Sequence, residues 1–153
     1  MALRVYAPVA GRVIATSDIP DPVFSAGMVG PGVAIDPDPG AGRSAVSPIS
    51  GTVVKLHPHA FVVAGADGRG VLVHLGIDTV QLKGEGFTLH AAEGDAVEAG
   101  QELVTWSPSD VAAGGRSPVV PVVALDVAPE LLVPTAAEET DVVAGEELFT
   151  VGD

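Results

Sequence analysis

Glycine and proline interrupt this chain every few residues, and this punctuation constrains the fold more than any other feature of the sequence. The 153 residues include 19 glycines and 13 prolines, with no long helical period of apolar residues between them. The short segments that remain are dominated by valine, whose β-branched side chain suits a pleated sheet. Predicted strands cover Arg12–Thr16, Thr52–Leu56, Ala60–Ala64, Val71–Leu75, Glu102–Trp106 and Leu148–Val151. This pattern predicts an all-β fold for residues 1–153, an antiparallel sandwich or barrel in a single domain, with one short helix over Ser107–Ala113.

The chain also repeats itself. The segment from Ala7 to Ile14 matches the segment from Ser47 to Val54 in the pattern small-Pro-apolar-small-Gly-x-Val-apolar, 40 residues apart. A second match joins Ala99–Thr105 to Ala144–Thr150. Two separate matches predict that the sandwich consists of two duplicated halves, in which each shared glycine adopts a backbone conformation that a side chain would obstruct.

The charge balance excludes whole classes of partner. Twenty Asp and Glu residues against seven Lys and Arg residues give a formal net charge of −13. Nucleic acids and anionic membranes bind clustered cations, whereas this chain has only Lys55, Lys83 and five scattered arginines. We therefore expect no nucleic-acid partner. The acidic surface either steers basic protein partners or only keeps the protein soluble, and the charge alone favours the second interpretation.

Residue types and segments that the sequence lacks exclude further kinds of site and cellular location. The chain has no cysteine, which excludes disulfides, thiolate zinc sites and cysteine nucleophiles. No apolar run approaches the roughly 18 residues of a membrane helix. The first eight residues lack the apolar core of a signal peptide. We expect a cytoplasmic protein that does not insert directly into a membrane.

Four histidines carry the candidate chemistry, and two of them are expected to meet. A hairpin turning through Gly65–Gly68 brings His59 back opposite His74, and cross-strand partners on one face lie about 5 Å apart. Two neutral imidazoles at that distance could share one phosphate or one metal ion. The alternative for each ring is a core histidine hydrogen-bonded to a carbonyl. Pro58 cannot donate to a ladder, so the stretch around His57 and His59 should lie at a strand end or edge.

The segment Val73–Phe87, VHLGIDTVQLKGEGF, resembles the signature of the glucose-type IIA (EIIA) domains of the bacterial phosphoenolpyruvate-dependent sugar phosphotransferase system. The resemblance continues in His59–Phe61, Ile19–Phe24, Gly30–Ile35 and both proline-glycine repeats, and it extends over residues 4–152. It implies an antiparallel β-sandwich with pseudo-repeated halves, which agrees with the duplication.

The same resemblance implies a phosphocarrier function. His74 corresponds to the phosphorylated nucleophile and His59 to its phosphate-stabilising partner. The phosphoryl group would arrive from the phosphohistidine of the carrier HPr and leave to an EIIB domain, which serves the membrane subunit IIC. Regulatory protein targets of the unphosphorylated form are also implied. No cofactor is required, although zinc could bind between His59 and His74.

Residues around the two histidines are expected to dock the partners. Backbone N–H groups near Leu75 and Gly76 are expected to help His59 hold the phosphoryl group. The docking residues that the resemblance implies, apolar positions with carboxylates just outside them, are Asp21, Val23, Phe24, Phe61, Asp78 and Val80. The alternative for Phe24 and Phe61 is an ordinary place in the core, and the alternative for Asp78 is to cap a turn.

One departure from the family pattern concerns the segment before His59. Family members commonly carry a threonine there that orients the first histidine, whereas Lys55–His59 contains none and is about two residues shorter. His57 either substitutes for that threonine or points to solvent, and we favour solvent. His90 is expected on the surface.

Two rival functions share parts of this pattern. The motifs His57-x-His59 and His74-x-x-x-Asp78 resemble the ligands of β-sheet zinc peptidases, but in the opposite order along the chain. A biotinyl or lipoyl carrier would need a lysine at a hairpin tip, and neither Lys55 nor Lys83 has that context. The zinc metallohydrolase is the stronger alternative to the phosphocarrier.

Overall fold

The computed structural model describes residues 3–25, 30–38 and 44–152, and strands dominate these segments. Only two short α-helices are present among them, α1 (Pro22–Ser25) and α2 (Pro108–Ala113). The strands are β1 (Leu3–Tyr6), β2 (Gly11–Ile14), β3 (Gly32–Pro37), β4 (Ser44–Val46), β5 (Gly51–His57), β6 (Ala60–Ala64), β7 (Gly70–His74), β8 (Thr88–Leu89), β9 (Ala96–Val97), β10 (Glu102–Thr105), β11 (Val120–Ala124), β12 (Leu132–Pro134), β13 (Asp141–Val142) and β14 (Glu147–Val151). The all-β prediction is confirmed.

The strands form three antiparallel sheets around one core. The large sheet has the order β13-β2-β3-β11-β7-β6-β5-β9, and the small sheets have the orders β1-β14-β12 and β4-β10-β8. Buried side chains from all three sheets, among them Val5, Val63 and Val104, belong to one continuous hydrophobic cluster. Alternation along β6 and β7 sends every second side chain into this cluster, namely Phe61 and Val63 from β6 and Val71 and Val73 from β7.

The predicted duplication is visible in the pairing of the strands. In the large sheet, β13, β2, β3 and β11 mirror β9, β5, β6 and β7 across the central β11–β7 pair, where Val122 lies opposite Val73. The two proline segments are cross-linked by hydrogen bonds of 2.8 Å from Tyr6 N–H to the Pro48 carbonyl and from Val46 N–H to the Pro8 carbonyl. We call β5, β6, β7 and β9 the histidine half, and β2, β3, β11 and β13 the counterpart half.

The repeated glycine before β2 and β5 has a steric reason. A Cβ on Gly51 would lie 2.0 Å from the Ala64 carbonyl oxygen, and one on Gly11 would lie 2.2 Å from the Asp36 carbonyl oxygen. Real Cβ atoms do not approach an oxygen so closely, so only glycine lets the neighbouring strand pair at this position.

Several strand boundaries were predicted well, and some strands were missed. Ala60–Ala64 is correct to the residue, and the other predicted strands differ by one or two residues at their ends. The prediction omitted β11, whose sequence contains Pro121. Pro121 is tolerated in β11 because β11 pairs with β7 only from Val122 onward. The ladder between β11 and β7 has therefore ended at the position where Pro121 lacks an N–H.

The connections place the irregular segments around one end of the large sheet. The predicted helix is confirmed as α2, and its first turn is capped by Ser107 Oγ, which accepts from Asp110 N–H at 3.3 Å. A 3-10 turn over Thr79–Leu82 follows β7, and another over Thr16–Asp18 precedes α1. In the described part of the chain, no helix is long and apolar enough to cross a membrane.

Candidate functional site

A tight turn positions His59. Strands β5 and β6 form a hairpin whose last pair is His57 with Ala60, so Pro58 and His59 are the two residues of the turn. Pro58 therefore lies outside the ladder, which confirms the prediction that this stretch is a strand end. The turn leaves His59 partly buried, at the end of strands β5 and β6.

The rings of His59 and His74 lie side by side, as the sequence predicts. Their centroids are 5.2 Å apart with an interplanar angle of 68°. The register differs from the prediction by one residue, because Ala60 rather than His59 pairs with His74. The turn compensates for this difference: the His59 carbonyl accepts from Leu75 N–H at 2.7 Å, which holds His59 against the end of β7.

The backbone after β7 fixes the His74 ring. Its Nδ1 lies 2.5 Å from the Gly76 carbonyl oxygen, an atom that can only accept. Nδ1 must therefore carry the proton, and Nε2 keeps its lone pair. This tautomer makes Nε2 the nucleophilic nitrogen of His74.

The loop that contains the Gly76 carbonyl is held in turn by hydrogen bonds and close contacts. Gly76 has φ +82°, and a Cβ there would lie 2.6 Å from Thr79 Cγ2, so the position requires glycine. Ile77 N–H donates to the Ser117 carbonyl at 2.8 Å. The fully buried Thr79 hydroxyl donates to the Leu75 carbonyl at 2.7 Å. The sequence signature contains Gly76 and Thr79, but their supporting roles were not predicted.

Both site histidines favour the neutral state. Burial lowers the pKa of His74 below its ordinary value, and the opposing effects of the Gly76 carbonyl, Asp21 and Asp78 do not cancel this shift. Burial also lowers the pKa of His59, with further repulsion from His74 and then His57. At neutral pH, both rings are therefore uncharged, as a nucleophilic imidazole must be.

The backbone N–H groups near Leu75 and Gly76 are predicted to help His59 hold the phosphoryl group, but the N–H of Leu75 is already occupied. The N–H of Leu75 is bonded to the His59 carbonyl, and the N–H of Ile77 is bonded to Ser117. We therefore remove the Leu75 N–H from the expected phosphate-binding groups.

The predicted docking residues fall into different environments. Phe24 is partly buried and meets His74 edge-on, with ring centroids 5.5 Å apart. Asp21 caps α1, where its Oδ1 accepts from Phe24 N–H at 3.2 Å. Asp78 is exposed, and Val80 is 57% exposed. Phe24 contacts His74, and Asp21 and Asp78 act electrostatically on it, so these three residues lie at the rim of the histidine pair, and Val80 follows Asp78 by two residues.

The other two predicted docking residues are Phe61 and Val23. Phe61 is completely buried in the core, opposite Val73, so we withdraw its side chain from the predicted docking surface. Its aromatic character indicated core as much as interface, and burial decides between them. The side chain of Val23 lies outside the described part of the structure.

The other two histidines differ in their surroundings. His57 is exposed, as expected, but its ring stacks on His59 with centroids 5.8 Å apart and an interplanar angle of 24°. This contact was not predicted. His90 is exposed, in agreement with the prediction, and its Nε2 lies 2.6 Å from Thr105 Oγ1.

The geometry gives a zinc site little support. Among residues 3–25, 30–38 and 44–152, no three histidine, cysteine, aspartate or glutamate side chains form a cluster that could hold a metal ion. The two adjacent imidazoles of His59 and His74 provide two ligands, whereas catalytic zinc sites usually use three protein ligands.

Comparisons with known proteins agree on one family. A family model described as phosphoenolpyruvate-dependent sugar phosphotransferase system, EIIA 1, matches residues 3–128. The chain is 39% identical over 144 residues to the phosphotransferase-system glucose-specific EIIA component of Halalkalibacterium halodurans, covering 93% of this chain and 81% of that protein.

Two further matches concern structure and domain context. The solved structure of the glucose permease IIA from Mycoplasma capricolum superposes with a TM-score of 0.87 at 30% identity, covering 98% of this chain and 96% of that one. The beta-glucoside-specific EIIBCA component of Bacillus subtilis is 39% identical over 121 residues, which are 78% of this chain and 19% of that protein. A domain similar to this chain therefore also occurs within a longer polypeptide.

Proposed function

Because the chain belongs to the EIIA 1 family of the phosphoenolpyruvate-dependent sugar phosphotransferase system, we propose that it carries phosphoryl groups on His74. The donor in this proposal is the phosphohistidine of HPr, and the acceptor is an EIIB domain coupled to a membrane subunit IIC. We propose that residues 1–153 act as one EIIA unit in the cytoplasm. The observation that carries the assignment to His74 is its fixed tautomer, with Nδ1 on the Gly76 carbonyl and Nε2 free beside His59.

The transfer step needs little from the protein beyond alignment. The Nε2 lone pair of His74 forms the new N–P bond as the N–P bond of the donor phosphohistidine breaks, and the departing electron pair returns to the donor imidazole. Since the bonds formed and broken are alike, the site has to hold the reacting groups in line and stabilise charge on the equatorial oxygens. No base is needed, because the neutral ring is already nucleophilic.

His59 has the position for stabilising the transferred group. Its ring lies 5.2 Å from that of His74, centroid to centroid, and it is partly buried. An N–H of His59 directed at a phosphoryl oxygen would form a charge-assisted hydrogen bond, which strengthens in a partly desolvated site. We therefore assign His59 as the phosphate-stabilising partner.

The rim of the site suits a basic protein partner. Asp21 and Asp78 both act electrostatically on His74, and Phe24 and Val80 add apolar surface beside them. Apolar contact surrounded by charge is typical of transient protein interfaces. The occurrence of a similar domain within an EIIBCA protein supports EIIB as the acceptor.

A reconstituted relay tests this proposal. The chain is incubated with phosphoenolpyruvate, enzyme I and HPr, and the acid-labile phosphoryl group is located by mass spectrometry. We expect one phosphoryl group on His74, none in H74Q, and normal labelling in H90Q, which alters an exposed histidine away from the site.

Labelling of H74Q, or phosphorylation at another histidine in the unaltered chain, would contradict the assignment. A zinc metallohydrolase would instead bind one equivalent of zinc with His74, Asp78 and His59 all as ligands, and it would lose its activity to a chelator. Phosphorylation that persists in the presence of the chelator argues for the phosphocarrier.

A further inference from the structure

We propose that Arg116 is a positioning residue of this site. From the connection between α2 and β11, it holds the turn that follows β7 and so keeps the Gly76 carbonyl directed at His74. The proposal deepens the proposed function and rests on it for its consequence in phosphoryl transfer. The link between the two segments is testable without any transfer reaction.

One peptide plane connects His74 to the segment before β11. The carbonyl of Gly76 contacts His74 Nδ1. The N–H of the same peptide belongs to Ile77, and it donates to the Ser117 carbonyl at 2.8 Å. A peptide unit is planar and rigid, so its carbonyl and its N–H cannot turn independently. The position of Ser117 therefore sets the direction in which the Gly76 carbonyl points.

Arg116 adds a second contact between the same two segments. Its Nη2 donates to Gln81 Oε1 at 3.2 Å, in the 3-10 turn over Thr79–Leu82. The N–H of Gln81 donates in turn to the Asp78 carbonyl at 3.1 Å. The contacts of Ser117 and Arg116 thus lie on either side of Asp78, whose φ of +60° is uncommon for a residue other than glycine. Two contacts prevent the turn from pivoting about a single hydrogen bond.

Packing does little to hold the turn on this side. A polar cavity of about 510 Å³ lies between the two segments, and its lining includes Pro20, Asp78, Gln81 and Arg116. Side chains do not fill this space, so a displacement of the turn toward it meets little steric resistance. The hydrogen bonds from the segment before β11 are therefore what fixes the turn here.

The buried Nε of Arg116 indicates that fold stability is not the reason for its position. Among the residues that the structure describes, it is the one buried side-chain nitrogen or oxygen without a hydrogen-bond partner. An unpaired buried donor lowers stability, and the exposed hydrogen bond to Gln81 contributes little. A guanidinium in such a place points to a role in the site beside it.

Hydrogen exchange of the Ile77 amide tests the link directly. R116M keeps the apolar part of the chain without the guanidinium and should speed this exchange at least roughly threefold, because the turn opens more often. Q81L removes the acceptor and should have the same effect, and R116M/Q81L should exchange no faster than either single variant. R12M is the matched control, because it removes an exposed arginine from β2 in the counterpart half.

Single-turnover transfer from phospho-HPr gives the second readout. R116M should lower the maximal rate constant roughly three- to tenfold and leave the half-saturating concentration of phospho-HPr unchanged, because the turn positions His74 rather than binding the donor. R116K should recover part of the rate, since its ammonium can still donate to Gln81. Denaturant unfolding should show no loss of stability in R116M, because the unpaired Nε is removed with the guanidinium.

The outcomes are separable. Wild-type exchange of the Ile77 amide in R116M would overturn the proposal, and so would additive effects of R116M and Q81L. A change confined to the half-saturating concentration would also overturn it, since Arg116 would then be a docking residue. If the unaltered chain is not labelled at all, the proposed function fails instead, while the exchange of the Ile77 amide still reports whether Arg116 holds the turn.

Discussion

The histidine half and the counterpart half have the same pattern of strand pairing. They differ in the residues at two equivalent positions and in the length of one connection between strands. In the histidine half, Leu75 N–H donates to the His59 carbonyl at 2.7 Å; in the counterpart half, Ala124 N–H donates to the Pro31 carbonyl at 2.8 Å. The register that pairs Phe61 with Val73 is repeated by Val33 with Val122. By this equivalence, Pro31 and Val123 occupy the places of His59 and His74.

The connections between equivalent strands explain how both halves contribute residues to one site. Strands β5 and β6 are joined by the two-residue turn that holds His59, whereas β2 and β3 are joined by residues 15–31. The longer connection carries α1 and brings Phe24 against His74. The duplication thus gave two halves with similar strand arrangements. Connections of different length, one from each half, meet at a single pair of histidines.

The largest effect is expected from comparing a variant in the core that both halves share, F61A, with a variant in the connection between β2 and β3, F24A. F61A removes a fully buried ring from the common core and should lower the free energy of unfolding by about 3–5 kcal/mol. F24A alters only the connection, so it should cost about 1 kcal/mol while slowing phosphorylation by HPr roughly tenfold. Denaturant unfolding and relay kinetics measure the two quantities. An equal loss in the free energy of unfolding for F61A and F24A would contradict this distinction between core and connection.

The loop after β7 should be nearly as sensitive. G76A adds a Cβ at φ +82° against Thr79 and displaces the carbonyl that holds His74 Nδ1. We expect a loss of about 1–3 kcal/mol in stability and at least a roughly tenfold slower phosphorylation. G86A is the matched control, because Gly86 has φ +88° with open space around it. A G76A variant with the activity of G86A would show that this carbonyl does not position the ring.

A smaller effect is expected in the pH dependence of folding. His59 and His74 have lowered pKa values in the folded chain, so below about pH 6.5 the unfolded chain binds more protons. The free energy of unfolding should therefore decrease as pH falls through that region, and H59Q/H74Q should show a weaker decrease. Urea titrations between pH 5 and 8 measure this, with H90Q as the control. An identical slope in the double variant would contradict the assigned burial effects.

The smallest effect is expected at the rim. Asp78 and Asp126 are exposed and have φ of +60° and +55°, just after β7 and β11. D78N should weaken the association with HPr a few-fold, more strongly at low salt, because an exposed charge mainly steers a partner. D126N lies in the counterpart half and should leave it unchanged. Equal effects of D78N and D126N would show that net charge, rather than position, attracts the partner.

The sequence predicts the meeting of the histidines well, because hairpin arithmetic constrains it. Counting from Gly65–Gly68 places His59 opposite His74 to within one residue, and Pro58 identifies the strand end. The stacking of His57 on His59 was not predictable, since it depends on the shape of the two-residue turn. The fixed tautomer of His74 was not predictable either, because it depends on a backbone carbonyl whose direction follows from Gly76 and its contact with Thr79.

Phe61 and β11 show where patterns mislead. Phe61 carries the same apolar signal as a docking aromatic, and only the three-dimensional packing shows it to be core. Pro121 argues against a central strand, yet the end of the β7 ladder accommodates it. In both cases, the deciding information lies in a neighbour distant along the chain.

If His74 carries the phosphoryl group as proposed, its bond from Nδ1 to the Gly76 carbonyl also decides which regioisomer of phosphohistidine would form. With one ring nitrogen engaged by the main chain, only the 3-phospho form is accessible. A main-chain oxygen cannot be removed by changing a side chain, so the chemical identity of the product is set by the path of the backbone.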